Sequence, residues 1–431
     1  LSVSNYQLQV NKYSTTYLLI VANVVLHNAA HQPPEPFRAA SSQESSMQNF
    51  EYYNPTRIVF GQGSVARLNE LIPASARVLL LYGGGSAQRN GTLAEVRKAL
   101  GERSVHEFGG IEPNPHFETL MRAVELARQE KTDFLLAVGG GSVIDGSKFV
   151  AAAVGYQGDA WDILASFGQV VKQALPVGAV LTLAATGSEM NHNAVVTHHA
   201  SQTKAFFASP LVYPQFAVLD PEKTYTLPAR QLGNGVVDAF THVMEQYLTY
   251  PVDARVQDRF AEGLLQTLIE LGPQVVREPA DYASRANLMW TATQALNGLI
   301  GAGVPHDWAT HLVGHELTAL HGLDHAQTLA VLLPTMLEVR REDKRDKLLQ
   351  YASRVWQINE GSDDERISAA IRETRNFFDS LGVKTRLSDY GVTAKDIDAL
   401  VAQLQKHGMT ALGERGAVTL DVSRRVFELS L

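Results

Sequence analysis

The chain has 431 residues, 45% apolar and 19% charged, enough for two hydrophobic cores rather than one. A formal net charge of −8, with no basic stripe, argues against a nucleic-acid partner or an anionic membrane surface. There is no cysteine, which excludes disulfides, thiolate nucleophiles and cysteine-held metals, so any metal must be held by His, Asp or Glu.

The chain opens on Leu1, and its first methionine is Met47. Residues 17–26 form an apolar run too short to span a bilayer and poorly matched to a secretory signal. Proline- and serine-rich stretches follow it. Residues 1–46 therefore read as a leader, disordered or artefactual and without chemistry, on a domain that begins at Met47.

From Arg57 onward, short apolar runs alternate with longer amphipathic ones. The runs at 77–82, 134–138, 176–183 and 216–220 have the length and glycine-rich boundaries of buried parallel strands. Residues 93–100 and 117–129 between them carry helical periodicity. The pattern predicts an open α/β sheet whose ligands lie at the carboxyl ends of its strands. Past residues 221–224 the glycine punctuation stops. Helical segments are expected at 236–248, 254–270, 282–300, 307–320, 326–339, 344–356, 363–381 and 422–429. The predicted organisation is an α/β dinucleotide-binding domain over 47–222 and an all-helical metal-binding domain over 223–431, with the reaction site in the cleft between them.

Three polar loops punctuate the first half. Gly139, Gly140, Gly141 and Ser142, between a strand and a helix, suit a pyrophosphate, although such glycines also serve as a plain structural turn. Gly83, Gly84, Gly85 and Ser86 end an earlier strand, where an NAD-binding protein usually places an acid. Here no acid occurs until Glu95, and Ser86 with Arg89 suits a 2′-phosphate, which points to NADPH/NADP+. Thr182 and residues 186–191 form the third loop, with Lys204 the nearest later cation.

Five of the fourteen histidines fall between His306 and His325, and Asp238 and His242 stand four apart upstream. On helices, such spacing puts paired ligands on one face. A carboxylate with two or three imidazoles suits divalent zinc or iron. Each histidine taken singly also reads as an ordinary core or surface residue.

These segments together resemble the iron-containing, metal-dependent alcohol dehydrogenase family, in particular its NADPH-dependent aldehyde reductase and butanol dehydrogenase branch. The match runs through GGGSVIDGSK (139–148), TLAATGSEMN (182–191), GVVDAFTHVMEQ (235–246) and the block 311–330, and covers all but the leader. The resemblance implies a dehydroquinate synthase-like architecture and one divalent metal held by Asp238, His242, His311 and His325, zinc ahead of iron. It carries over His315 as an active-site residue, relaying a proton or positioning substrate. It also carries over Gly139 to Ser142 and Asp145 at the pyrophosphate loop, and Thr182, Thr186, Asn191 and Lys204 on the nicotinamide side. Ala184 stands where the family usually has proline, a change expected to alter loop rigidity and not chemistry.

The expected chemistry is reduction of short-chain and reactive aldehydes to primary alcohols, and its reverse, by a cytoplasmic homodimer. Arg285 is the only Arg or Lys from 282 to 338, so the substrate is expected to be small and uncharged. Trp290, Trp308, Leu299, Ile300, Leu317 and Leu320 are candidates for an apolar wall. Asp307 and Glu316 read as solvent-facing, with support of a ligand histidine as the other reading. A sugar-phosphate cyclase or polyol-phosphate dehydrogenase on the same fold is the alternative enzyme, and a nucleotide-binding regulatory protein the alternative outside catalysis.

Overall fold

The computed structural model describes residues 46–278 and 281–431. All of the leader except Ser46 lies outside the described residues. Residues 46–53 are exposed but tied to the helical half: Gln48 N donates to the Gly303 carbonyl (2.9 Å), and Gln257 Nε2 donates to Met47 Sδ (3.2 Å).

The first half is built on strands β1 (Arg57–Phe60), β2 (Arg77–Gly83), β3 (Ser104–Ile111), β4 (Phe134–Gly139), β5 (Val177–Leu181) and β8 (Phe216–Leu219). They form one six-stranded parallel sheet in the order β1-β8-β5-β4-β2-β3. Alternate residues of β2 serve opposite faces. Val78 and Leu80 join the core that holds Leu93, Val96 and Leu100 from helix α1 (Thr92–Leu100). Leu79 and Leu81 join the core on the other face, with Leu120 and Val124 from α2 (Phe117–Gln129) and Ile144 and Phe149 from α3 (Gly141–Val154). All six residues of β4 are buried, as a central strand covered on both sides requires.

In the first half, strand β1, strand β3 and a hairpin escaped the sequence reading. Strand β3 is an edge strand with only Ile111 fully buried, so it carries no apolar run. Strands β6 (Asn193–His198) and β7 (Thr203–Ala208) form an antiparallel hairpin apart from the main sheet.

The second half is helical: α4 (Ala229–Tyr247), α5 (Arg255–Arg277), α6 (Tyr282–Ala295), α7 (Ala309–His321), α8 (His325–Val339), α9 (Arg345–Arg354), α10 (Asp363–Ser380), α11 (Ile397–Lys406) and α12 (Leu420–Leu429). Its only strands among the described residues are the two-residue pair β9 (Ala411–Leu412) and β10 (Val418–Thr419). Helix α4 starts seven residues before the predicted segment, because Gly233 and Gly235 interrupt the apolar period without interrupting the helix. Helix α5 continues through Pro273, and α6 stops at Ala295, leaving residues 296–308 as a loop against the site. The core that holds Leu79 and Phe149 continues into Val236, Phe240 and Leu329, so one apolar mass joins the two halves. Among the described residues no helix is long and apolar enough to cross a membrane.

Candidate metal centre and coenzyme cleft

Helix α4 carries Asp238 and His242 one turn apart. His311 comes from the first turn of α7, and His325 opens α8 directly after its N-cap Asp324, which forms a capping box with Gln327. Around Asp238 Oδ1 stand the Nε2 atoms of His325 (3.6 Å), His242 (3.7 Å) and His311 (4.0 Å). These separations are too long for hydrogen bonds. They approach the edge of about 3.4 Å expected in a tetrahedron of ligands about 2.1 Å from a zinc-like ion. Asp238 Oδ1 and His311 Nε2 are buried without a partner, the state of atoms that await an ion. Asp238, His242 and His311 meet the geometry of a single divalent-metal site. Burial lowers the His242 and His311 imidazoles to about 4, with Asp238 opposing, so both are neutral at pH 7 as ligation requires.

His311 is oriented by a residue that the sequence reading missed. Its Nδ1 is bonded to the Glu245 carboxylate, which leaves Nε2 facing the centre. The other Glu245 oxygen accepts from Thr310 N at 2.6 Å. Burial, then the neighbouring Asp307, push the Glu245 carboxyl upward. Glu245 lies three residues past His242 on the same face of α4, and that spacing was the available signal. Asp307 and Glu316 are not solvent-facing, which corrects the expectation. Asp307 is buried against Lys344 Nζ (2.7 Å), which also holds Glu414 (2.9 Å), and Glu316 is buried against His407 Nδ1 (2.8 Å).

The predicted apolar wall is corrected in part. Ile300 and Leu317 belong to the core, and Trp290 is 42% exposed, its ring edge-on to Phe60. Trp308 is the member of that set that stands at the centre, its ring 5.4 Å from His311 and 6.2 Å from His242. Arg285 is fully buried and donates to the Thr224 carbonyl (3.0 Å) beside Leu183 and Ala184. His315 is half-buried with its ring 5.8 Å from His325. Burial, then the Lys204 ammonium, hold its pKa well below the ordinary histidine value. Lys204, on β7, donates to Asn114 Oδ1 (2.9 Å), and burial lowers it to about 8 against the pull of Asp238 and Asp145.

The strand order sets the coenzyme loops side by side, since β2, β4 and β5 are neighbours and each ends at one of them. Thr182 N donates to the Gly139 carbonyl at 3.0 Å. Gly140 caps α3, and a Cβ on Gly141 would lie 2.4 Å from Thr186 Oγ1, so only glycine lets these two loops close. Ser142 Oγ accepts from Asn114 N (3.3 Å). Asp145 accepts from Ser188 Oγ (2.5 Å) and Val195 N (3.0 Å), so its carboxylate braces the third loop. Gly83 ends β2, and Gly85 has φ +95 ahead of the short turn Ser86–Arg89. The Arg89 guanidinium folds back to 3.3 Å from where a Gly85 Cβ would stand, whereas Gly84 faces open space.

Asn191 donates to the Gly187 (2.9 Å) and Leu296 (3.1 Å) carbonyls and so ties the third loop to the helical half. A second missed residue, Lys148, is fully buried and donates to Ser188 Oγ (2.8 Å), Asn191 Oδ1 (3.0 Å) and the Asn193 carbonyl (2.8 Å). Its partners are some forty residues away, so local pattern gives no sign of its role.

A glycine-lined nucleotide cleft on a parallel sheet, closed by a carboxylate–histidine metal centre on helices, defines a metal-assisted, nicotinamide-dependent oxidoreductase. The family models give the same class. Residues 55–221 match the iron-containing alcohol dehydrogenase model, and residues 234–413 match the C-terminal model of the Fe-containing alcohol dehydrogenase family. The chain belongs to this family. It is 62% identical over 384 residues to the NADPH-dependent aldehyde reductase YqhD of Escherichia coli K12, covering 89% of this chain and 99% of that protein. It is 42% identical over 367 residues to a probable NADH-dependent butanol dehydrogenase of Bacillus subtilis, covering 84% and 95%. The substrate- and cofactor-free structure of E. coli YqhD superposes with a TM-score of 0.84 at 60% identity, covering 89% of this chain and all of that one.

Proposed function

We propose that the chain reduces short-chain and reactive aldehydes to primary alcohols with NADPH, and catalyses the reverse oxidation, in aldehyde detoxification. The observation that carries this reading is the set of unpartnered buried ligand atoms at Asp238 and His311, facing a glycine-built nucleotide cleft. When bound, the metal supplies Lewis-acid polarisation of the carbonyl, and the nicotinamide supplies the hydride.

The chain's own groups supply orientation and charge. Asp238, His242, His311 and His325 are the proposed ligands of one zinc ion, a choice supported by the three-nitrogen, one-oxygen donor set; iron is the alternative. Glu245 fixes the His311 tautomer and ring plane. His315, kept neutral by burial and by Lys204, hydrogen-bonds the substrate oxygen and positions it. Gly139 to Ser142 cradle the pyrophosphate; Thr182, Thr186, Asn191 and Lys204 bound the nicotinamide end, with Asp145 bracing their loop.

The NADPH preference is supported by Arg89 over Gly85 and by the absence of an acid from residues 83–90. A small neutral substrate is supported by Arg285 facing Thr224 and by Lys204 being held by Asn114. The relatives named above divide between NADPH and NADH, so the coenzyme preference rests on these residues. We further propose a domain division at 222/223, in the connection between β8 and α4, and a cytoplasmic homodimer. The open sheet edge at β1, with exposed Phe50, Tyr52, Tyr53 and Phe60 in and before it, supports the dimer.

The test is NADPH oxidation by the zinc-loaded chain with butanal and with an aldehyde phosphate of similar length. Butanal is expected to have far the higher kcat/KM. Turnover of the phosphate with poor turnover of butanal contradicts the reading and favours the polyol-phosphate alternative.

A further inference from the structure

We infer that Trp308 sets the size limit of the aldehyde pocket, and that His306 holds its indole in place through a hydrogen-bonded chain anchored on the Gly301 carbonyl. This inference rests on the aldehyde-reductase reading above and names which substrates that site admits.

Three observations carry it. Trp308 caps α7 with φ 61 and ψ 3, a left-handed conformation that a bulky side chain rarely adopts. Such strain persists only where the surroundings over-determine it, and here it falls three residues before the ligand His311. Second, the indole stands T-shaped to two ligand rings, one 66 residues before it in sequence and one three residues after it, with interplanar angles of 60° to His242 and 72° to His311. The indole thus borders the ligand rings at 5.4 and 6.2 Å, and on this inference it also borders the space into which the chain of a carbonyl at the centre extends. Third, the ring is not free to turn. Trp308 Nε1 donates to His306 Nδ1 (3.3 Å), and His306 Nε2 donates to the Gly301 carbonyl (2.9 Å). Both bonds need one neutral tautomer, which burial favours. The carbonyl fixes the imidazole, and the imidazole fixes the indole.

An indole fixed beside the ligand rings passes an unbranched alkyl chain and obstructs a ring or branch next to the carbonyl. Discrimination of this kind comes from shape and is read as a ratio of kcat/KM values.

The experiment compares butanal with benzaldehyde and cyclohexanecarbaldehyde, using zinc-loaded wild type and the variants Trp308→Ala, Trp308→Phe and His306→Ala. Metal content and unfolding temperature are measured for each. In Trp308→Ala the ratio of bulky-aldehyde to butanal kcat/KM is expected to rise at least about tenfold, with zinc retained. Trp308→Phe, which keeps a ring but loses the indole N–H, is expected to shift the ratio less and in the same direction. His306→Ala is expected to shift it likewise, and His306→Gln, whose amide can bridge the same two groups, to restore it. A merely structural role for these residues would lower both substrates together. An unchanged ratio in Trp308→Phe and His306→Ala with full zinc overturns the inference while leaving the aldehyde-reductase reading intact; should Trp308→Ala fail to fold, these two variants decide. Absence of aldehyde turnover in the wild type overturns both.

Discussion

The sheet half of the cleft is built around closely packed main chain, and the helical half around carboxylate and imidazole side chains. Gly139 to Ser142 and the loop from Thr182 to Asn191 present backbone at strand ends, and their closeness depends on missing Cβ atoms such as that of Gly141. Across the cleft, Asp238, His242, His311 and His325 are presented by three helices and held by a second layer of buried acids and bases. Shape is what the first half must preserve. The second must preserve charge, tautomer and desolvation, and it reaches Lys344 and Glu414 to do so. Substitutions on the two sides should accordingly fail in different ways.

The largest expected effect is at the ligands. His242→Ala or Asp238→Ala should leave a folded chain with little bound metal and turnover lower by about three orders of magnitude or more, since a Lewis acid supplies several kcal/mol. Metal analysis beside circular dichroism checks this, and full metal content in both variants contradicts the assignment.

Next is the brace. Lys344→Met strands the Asp307 and Glu414 carboxylates in the interior and should cost about 3–5 kcal/mol of stability in denaturant unfolding. Its pH dependence has a definite sign. Against the desolvation of burial, Lys344 holds Asp307 below its ordinary value, and Asp307 with Glu414 holds Lys344 above its own. The Asp307 contribution is complete above about pH 4 and is lost as pH falls through its lowered value; the Lys344 contribution is complete below about pH 10 and is lost as pH rises through its raised value. Burial pushes Glu414 up, with Lys344 opposing, so it adds little at the acid end. The gap between wild type and variant should be flat at neutral pH and narrow at both extremes. A gap that widens in acid contradicts the pairing.

Glu245→Gln sharpens the comparison further. It keeps the shape of the side chain and replaces the carboxyl partner of His311 Nδ1 with an amide, so zinc affinity should fall about 10–100-fold with little change in unfolding temperature. Competition with a chelator measures it, and unaltered affinity would remove Glu245 from the centre.

The smallest effect belongs to the main-chain side. Wild type should prefer NADPH over NADH by at least about tenfold in kcat/KM, roughly 1.4 kcal/mol. Gly84→Asp, where a side chain meets open space, should erase that preference; Gly85 is unsuitable because its φ of +95 would strain any replacement. Equal use of both coenzymes by the wild type contradicts the reading.

The same contrast decides what was legible in the sequence. Strands β2, β4 and β5 are continuous apolar runs ended by glycine or threonine, and the loops they carry are local patterns. The ligands were legible because helical spacing puts Asp238 and His242 on one face. Strand β3 and the β6–β7 hairpin were not, because an edge strand and a half-exposed hairpin have no uninterrupted apolar signal. The residues that brace the site were hidden for a different reason. Lys148 and Glu245 act on partners forty or more positions away, and the burial of Asp307 and Glu316 depends on Lys344 and His407, which lie far along the chain. Local pattern shows the groups that face the cleft, while the groups behind them depend on tertiary packing.

The most direct test of the central claim is a metal titration. The chain is stripped with a chelator and Zn²⁺ is returned stepwise, while butanal-dependent oxidation of NADPH is followed. The account predicts negligible activity at the start, a linear rise to a plateau at about one ion per chain, and no rise in His242→Ala. Full activity in the stripped chain, or restoration of His242→Ala by the same single ion, would contradict it.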